Sequence, residues 1–322
     1  MEQIGAAIDV GSNSIHLMVA RLTSDETGAA ISLEPIDDRS ELLGLGEAID
    51  RQGRIEPDDR RAIVTTLEDY VDLARAAGST TITLIGTEPL RRAANAGEVL
   101  ALVRRATSLP LRVLSVEEEA QLTFLGACAG QLPGQATIVV DIGGGTTEIG
   151  IHVPGRPFTV LGLALGSARL TWTIVEHDPP TTGEIDRLGR AAREALADLP
   201  ALLISRPKAA RVEPPIAIFV GGTATNLAKL GPLTRAAMVE DQRLLAALPA
   251  SEVMRRYVVR PQRARQLAAG AAIVAALLQR LRLDEATVSD ASLRDGAIIA
   301  AARFGDAWPT GLAELLGARP QV

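Results

Sequence analysis

Two short segments of the sequence share one pattern of apolar and polar residues. In each segment an apolar run leads to an aspartate and then to a turn of glycine and small polar residues; the segments are residues 6–15 and 138–147. After each turn apolar residues recur at every second position, at Ile15, Leu17 and Val19 and again at Ile149, Ile151 and Val153. A period of two is typical of a strand, so each segment predicts a strand–turn–strand unit. Asp141 follows Asp9 by 132 residues, so the chain contains this unit twice.

Helices and further short strands are predicted between these units. Residues 57–77 form an amphipathic pattern whose apolar face is Ile63, Leu67, Tyr70, Val71 and Ala74. In the first half, strands are predicted at residues 81–85 and 112–114, with Thr87 capping one helix and Ser115 starting another. In the second half, the pattern predicts helices at 183–199, from about 225 and at 260–283, and a strand at 216–220. This alternation of strands and helices predicts an α/β fold.

The length of the chain predicts two domains. It has 322 residues, and a domain takes about 150. Gly130 and Pro133-Gly134 interrupt the pattern, so we place the boundary there, with domains at residues 1–129 and 130–322.

Composition and charge narrow the classes of partner that the protein could bind. The net charge is −6 and aromatic residues make up 2%, which argues against nucleic acid and an anionic membrane as partners. The longest apolar run, residues 267–278, is shorter than the roughly 18 residues that cross a bilayer. A single cysteine, Cys128, excludes an internal disulfide and a cysteine-based zinc site. With no basic, apolar leader at the N-terminus, we expect a cytoplasmic protein.

The two turns have the chemistry of a phosphate site. Glycine-rich turns let main-chain N–H groups face an anion, and small polar side chains add donors. Because a strand rather than a helix follows each turn, the Rossmann and Walker phosphate motifs do not fit. The carboxylates of Asp9 and Asp141 would repel phosphate unless a bound Mg²⁺ offset their charge. The alternative is that each aspartate only caps its own turn.

Two further segments carry candidate chemistry. Ser115 and Glu118 have capping-box spacing, which leaves Glu119 as a candidate base for an attacking water or as one more first-turn acid. The Gly221-Gly222-Thr223 turn lies between a strand and a helix, where it suits either an anion or tight packing. The histidines, His16, His152 and His177, lack metal spacing, so we assign them to core or rim positions.

Together these segments resemble the exopolyphosphatase/guanosine pentaphosphate phosphohydrolase family, which belongs to the superfamily of actin-like, hexokinase and Hsp70 ATPases. The resemblance rests on residues 8–16, 140–148 and 221–223, and residues 86–91, 118–120 and 292–296 fall in the same order as in the family. It covers nearly the whole chain. It implies two actin-like, or ribonuclease H-like, α/β domains with a cleft between them, and it allows the last helix to pack back on the first domain.

The resemblance also implies roles for individual residues. Glu119 matches the general base, and Asp141 and Glu148 are expected to take part in catalysis and to hold Mg²⁺; the family also allows a monovalent cation such as K⁺. The residues expected to bind phosphate are Asp9, Gly11, Ser12, Asn13, Ser14, Arg91, Gly143, Gly144, Gly145, Thr146, Thr147, Gly221, Gly222 and Thr223. Thr146 replaces the usual serine and Asp295 the usual glutamate. Because the sequence lacks the helical C-terminal extension of longer members, we expect a short, two-domain form.

The expected function is therefore that of an exopolyphosphatase, which releases orthophosphate from the end of inorganic polyphosphate. One alternative is hydrolysis of guanosine pentaphosphate. A second is a nucleotide-sensing module that binds without turnover, and a third is a sugar-kinase-like phosphotransferase, for which we find no sugar-binding signature. The family also leads us to expect a homodimer.

Overall fold

The computed structural model describes residues 2–24, 31–199 and 215–317. The chain divides into two compact units. Unit 1 comprises Met1–Gly134, His152–Leu161 and Ala291–Val322, and unit 2 comprises Gln135–Ile151 and Gly162–Asp290. The last part of the chain thus belongs to unit 1. The domain boundary at Gly130 stays a prediction, because compactness alone does not show where independently folding domains begin.

Unit 1 contains a five-stranded sheet. Its strands are β1 (Glu2–Val10), β2 (Ser14–Ser24), β3 (Ile31–Leu42), β4 (Thr81–Gly86) and β5 (Leu111–Val113), in the order β3-β2-β1-β4-β5. β1 and β2 pair antiparallel, with Asp9 opposite His16, which confirms the first strand–turn–strand prediction. β4 runs parallel to β1, so the two strands end side by side. β3 was not predicted: it is an edge strand of mostly polar residues with Pro35, and a bulge interrupts its register.

The helices of unit 1 cover its sheet. They are α1 (Leu45–Gln52), α2 (Pro57–Ala76), α3 (Glu88–Arg92), α4 (Ala96–Thr107), α5 (Val116–Ala127), α12 (Leu293–Phe304) and α13 (Trp308–Leu315). The apolar face predicted for α2 is confirmed in full, because the same five residues are buried there. They pack with strand residues such as Ile8 and Leu17 in one apolar core. Thr87 precedes α3 as predicted, but its hydroxyl donates to the carbonyl of Val10 instead of capping the helix.

Unit 2 is built around a six-stranded sheet. Its strands are β6 (Thr137–Ile142), β7 (Thr147–His152), β8 (Thr159–Leu163), β9 (Ile216–Val220), β10 (Leu233–Thr234) and β11 (Glu285–Val288). The order is β10-β11-β9-β6-β7-β8, so β6 and β7 are neighbours and the second strand–turn–strand prediction is also confirmed. β9 runs parallel to β6, with Val220 beside Asp141.

The helices of unit 2 include one whose predicted start was wrong. They are α6 (Ser167–Ile174), α7 (Thr182–Ala195), α8 (Gly221–Leu227), α9 (Arg235–Ala247), α10 (Ala250–Tyr257) and α11 (Pro261–Arg280). α8 begins at Gly221, four residues before the predicted start, because a left-handed glycine lets the chain turn straight from β9 into the helix. The apolar run at 267–278 lies inside α11 and is almost wholly buried. None of the helices in the described part of the chain combines the length and apolarity needed to cross a membrane.

Candidate active site

The first glycine turn joins β1 to β2 and is closed by its own backbone. The Gly11 N–H donates to the Ser14 carbonyl at 3.0 Å. The carbonyl of Ser12 accepts from the Gly46 N–H at 2.8 Å, and the carbonyl of Asn13 accepts from the N–H groups that precede α1. The turn is therefore held by the N-terminal end of α1, and its carbonyl groups are occupied within unit 1.

The hydroxyl groups of this turn are already hydrogen bonded within the protein. The Ser12 hydroxyl donates to the Glu88 carboxylate at 3.0 Å. Ser14 is buried, and its hydroxyl lies 2.6 Å from Nε2 of His16. Main-chain N–H groups are thus better placed than these two hydroxyls to meet an anion at the turn. Phosphate binding by Asp9, Gly11, Ser12, Asn13 and Ser14 stays a prediction.

The second glycine turn, between β6 and β7, repeats the first. The Gly143 N–H donates to the Thr146 carbonyl at 2.9 Å, the counterpart of the bond that closes the first turn. The carbonyls of Gly143 and Gly144 accept from the N–H groups of Ser167 and Arg169 at the start of α6, as those of the first turn do from the start of α1. The repeat therefore extends beyond the sequence pattern to a helix that braces each turn.

Two of the hydroxyls predicted to bind phosphate in unit 2, those of Thr147 and Thr223, have internal partners. Thr147 is fully buried, and its hydroxyl donates to the carbonyl of Leu165 at 2.6 Å. The Thr223 hydroxyl lies 2.8 Å from that of Ser167, which links the start of α8 to the start of α6. Arg169 donates to the carbonyl of Gly145 at 2.7 Å. Phosphate binding by residues 143–147 and 221–223 stays a prediction in which main-chain groups carry the contact.

Glu119 is a buried carboxylate at the start of α5. Ser115 and Glu118 form the predicted capping box, with Ser115 Oγ accepting from the Glu118 N–H and the Glu118 carboxylate accepting from the Ser115 N–H. Glu119 is left facing inward, with 9% of its side chain exposed. Adjacent positions of α5 thus carry an acid that caps the helix, Glu118, and an acid that faces inward, Glu119.

Arg91 contacts Glu119 directly. Its NH1 atom lies 2.6 Å from Oε2 of Glu119 and 2.9 Å from the carbonyl of Leu114. An arginine beside a buried carboxylate stabilises the ionised form that a general base needs. The structure thus brings together two residues that were predicted separately, 28 residues apart in the sequence.

Asp141 lies at the end of β6 beside Gly221. A Cβ added at Gly221 would lie within 3.0 Å of Oδ1 of Asp141, and the φ angle of +84° also favours glycine. Gly221 therefore packs closely against the Asp141 carboxylate, and a side chain at position 221 would displace it. Glu148 is on β7, where only 3% of it is exposed.

The described residues contain no group of three or more histidine, cysteine, aspartate or glutamate side chains arranged around a metal site. Mg²⁺ commonly takes only one or two protein carboxylates, with water and substrate phosphate completing its shell. Asp141 and Glu148 supply that number of carboxylates, so Mg²⁺ at these two residues stays a prediction.

Two residues that contact the glycine-rich turns were not predicted from the sequence. Glu88 holds Ser12, and only its place in the Gly86–Arg91 segment marked it. The Arg263 guanidinium lies against Gly222, so a Cβ at position 222 would force it to shift. Burial, and after it the charge of Arg260, lowers the pKa of Arg263. A basic residue at the start of α11 gives no sequence signal of this contact.

Comparison with known proteins finds relatives over nearly the whole chain. Residues 23–303 match the model of the Ppx/GppA phosphatase family. Exopolyphosphatase 1 of Mycobacterium leprae is 29% identical over 311 residues, covering 91% of this chain and 87% of the relative. Exopolyphosphatase 2 of Mycobacterium tuberculosis is 30% identical over 328 residues, covering 92% of this chain and 98% of the relative.

A solved structure shows the same fold. The crystal structure of the Aquifex aeolicus member of the Ppx/GppA family superposes with a TM-score of 0.78 at 27% identity, covering 95% of this chain and 99% of that one. The predicted α/β, actin-like fold is thereby confirmed. On the match over residues 23–303 and the shared architecture, the chain belongs to the Ppx/GppA phosphatase family.

Proposed function

We propose that this protein is an exopolyphosphatase that hydrolyses the terminal phosphoanhydride bond of inorganic polyphosphate and releases orthophosphate. Relatives named exopolyphosphatase, matched over more than nine-tenths of this chain, support that substrate class. The observation that carries the proposal is the contact between Glu119 and Arg91, since it places an arginine on a buried carboxylate where the family resemblance expects a base.

In this proposal Glu119 takes a proton from the attacking water. A base must be ionised and oriented before it can accept a proton, and Arg91 provides both conditions. The second Arg91 hydrogen bond, to the carbonyl of Leu114, fixes the guanidinium itself and so fixes Glu119. Because α5 is anchored by the capping box of Ser115, the carboxylate stands on a rigid element.

Each glycine turn offers phosphate contacts in this proposal. Their carbonyls are occupied by the starts of α1 and α6, so the turns present N–H groups rather than carbonyl oxygens to an anion. Mg²⁺ held by Asp141 and Glu148 would offset the negative charge that develops as the bond breaks. Asp141 is the less buried of the two carboxylates, and Gly221 packs against it where any side chain would displace it.

The test compares phosphate release by wild type, Glu119→Gln and Glu117→Gln on polyphosphate with Mg²⁺. Glu117 is the matched control, because it lies in the same first turn of α5 and is less buried than Glu119. Removing the base is expected to lower turnover by about 10²-fold or more, whereas the control keeps wild-type turnover. Equal turnover by both variants would reject Glu119 as the base.

The same preparation also separates the competing functions. Faster release from guanosine pentaphosphate than from polyphosphate would favour the nucleotide substrate. Thermal stabilisation by either ligand without phosphate release would favour a sensor.

A further inference from the structure

A buried carboxylate holds the side chain of Ser12. The Ser12 hydroxyl donates at 3.0 Å to Oε2 of Glu88, which lies 76 residues away at the start of α3. Only 5% of the Glu88 side chain is exposed. A hydroxyl has a single proton, so a Ser12 bonded to Glu88 has none to give to a phosphate oxygen. Glu88 therefore decides what Ser12 presents at the first glycine turn.

The charge of Glu88 is balanced inside unit 1. NH1 of Arg92 lies 2.6 Å from Oε1 of Glu88, and Arg92 also pairs with Asp50 near the end of α1. Burial alone would lower the pKa of Arg92, but Glu88 and Asp50 together raise it above its ordinary value. The arginine thus stays charged and offsets a carboxylate that would otherwise repel an anion at the turn.

Ser12 is also held from its other side. The Gly46 N–H donates to the Ser12 carbonyl at 2.8 Å, and a Cβ at position 46 would lie 2.9 Å from that of Ser12. With Gly46 on its backbone and Glu88 on its hydroxyl, Ser12 has little freedom to change rotamer. The brace formed by Asp50, Glu88 and Arg92 thus connects α1, α3 and the turn.

We propose that Glu88 is a positioning residue for the hydrolysis proposed above. It keeps the Ser12 hydroxyl turned away from the phosphate, so that the main-chain N–H groups of the turn meet the substrate in a fixed arrangement. It touches no substrate and acts through Ser12. This inference rests on the proposed function, because its main test measures phosphate release from polyphosphate.

The test is a double-mutant cycle with Ser12→Ala, Glu88→Ala and the double variant. Each single change is expected to raise KM, by up to about tenfold for Glu88→Ala, with little change in kcat. The double variant is expected to be no worse than the more severe single variant, because both changes break the same contact. Glu88→Gln, whose amide oxygen still accepts from Ser12, is expected to keep a KM near that of wild type.

Glu98→Ala is the matched control, because Glu98 is an exposed acid that pairs with Arg60 in the same unit. Its KM is expected to equal that of wild type. Additive effects of Ser12→Ala and Glu88→Ala on KM, or a Glu88→Gln variant as impaired as Glu88→Ala, would overturn the proposal. If Glu88→Ala fails to fold, Glu88→Met, of similar size and without an acceptor, takes its place in the cycle.

Failure of the proposed function gives a different result from failure of this inference. A wild-type protein that releases no phosphate from polyphosphate rejects the function. The affinity of each variant of the cycle for polyphosphate is then measured by calorimetry, and the same non-additive losses of affinity are expected. Additive losses of affinity there would overturn the role of Glu88.

Discussion

Gly296 in α12 lies directly against the carbonyl oxygen of Leu122 in α5. A Cβ at position 296 would come far closer to that oxygen than the 3.0 Å that real Cβ contacts keep. Gly126 makes the reciprocal approach from α5 to the carbonyl of Ser292. The two helices therefore pack backbone to backbone, and α5 is the helix that carries Glu119. The family-like segment 292–296 thus supports the site through packing.

The first prediction concerns this helix contact. Gly296→Ala is expected to lower the free energy of unfolding by about 1–3 kcal/mol, because the extra methyl group forces α12 away from α5. Turnover of the folded fraction is also expected to fall, since α5 positions Glu119. Urea unfolding and phosphate release measure the two effects. Gly97→Ala in α4 is the control, because a Cβ there meets no atom within 4 Å; equal stability of both variants would contradict the prediction.

The second prediction concerns Arg91. Arg91→Gln removes the charge beside Glu119 and is expected to lower kcat by about 10²-fold, because the carboxylate loses its stabilising partner and its fixed orientation. Arg91→Lys is expected to recover part of this loss, since lysine keeps the charge without the two-pronged geometry. Steady-state phosphate release measures both. Arg61→Gln, which affects an exposed pair with Asp58 in α2, is expected to leave kcat unchanged.

The third prediction concerns Gly221 and the metal. Gly221→Ala puts a Cβ against the Asp141 carboxylate at a strained φ angle, so we expect about 1–3 kcal/mol of destabilisation. The displaced carboxylate should also raise the Mg²⁺ concentration that gives half-maximal phosphate release. Gly231→Ala in the same unit meets open space and serves as the control. An unchanged Mg²⁺ requirement in folded Gly221→Ala would argue against Asp141 as a ligand.

The fourth prediction concerns the pH dependence of stability in unit 2. The carboxylate of Glu184 caps α7, accepts from the N–H groups of Glu176 and Thr181 and lies 3.0 Å from Nδ1 of His177. Burial alone would raise the pKa of Glu184, but these hydrogen bonds, with His177 first, lower it below its usual range. The bond to Glu184 raises the pKa of His177, and the nearby charges of Glu176 and Arg187 act in opposite directions.

The direction in which stability changes with pH follows from the protonated form of His177. A raised folded-state pKa means that protonated His177 stabilises the fold fully below the ordinary histidine pKa, and that this contribution is lost as the pH rises through the folded pKa. His177→Asn is therefore expected to lower Tm relative to wild type at pH 5 and to match it at pH 9. The effect is small because the side chain is 61% exposed. A difference in Tm that grows toward alkaline pH would contradict this assignment.

Local interactions account for what the sequence alone determined. The two strand–turn–strand units, the buried face of α2 and the capping box of Ser115 with Glu118 all depend on neighbours within a few positions. Period-two alternation, helical periodicity and residue pairs three apart are properties of a short stretch of chain. They were therefore predicted correctly without knowledge of the remaining structure.

Contacts between distant segments were decided only by the tertiary structure. The sheet order places β4 next to β1, which brings α3 and its Glu88 to Ser12, 76 positions away. Arg91 likewise reaches Glu119, and Gly296 reaches Leu122, only in the folded chain. No pattern of short period records which strands become neighbours, because that choice depends on how the whole chain buries its apolar faces. The sequence therefore identified the candidate catalytic groups, and the packing of the sheets and helices selected their partners.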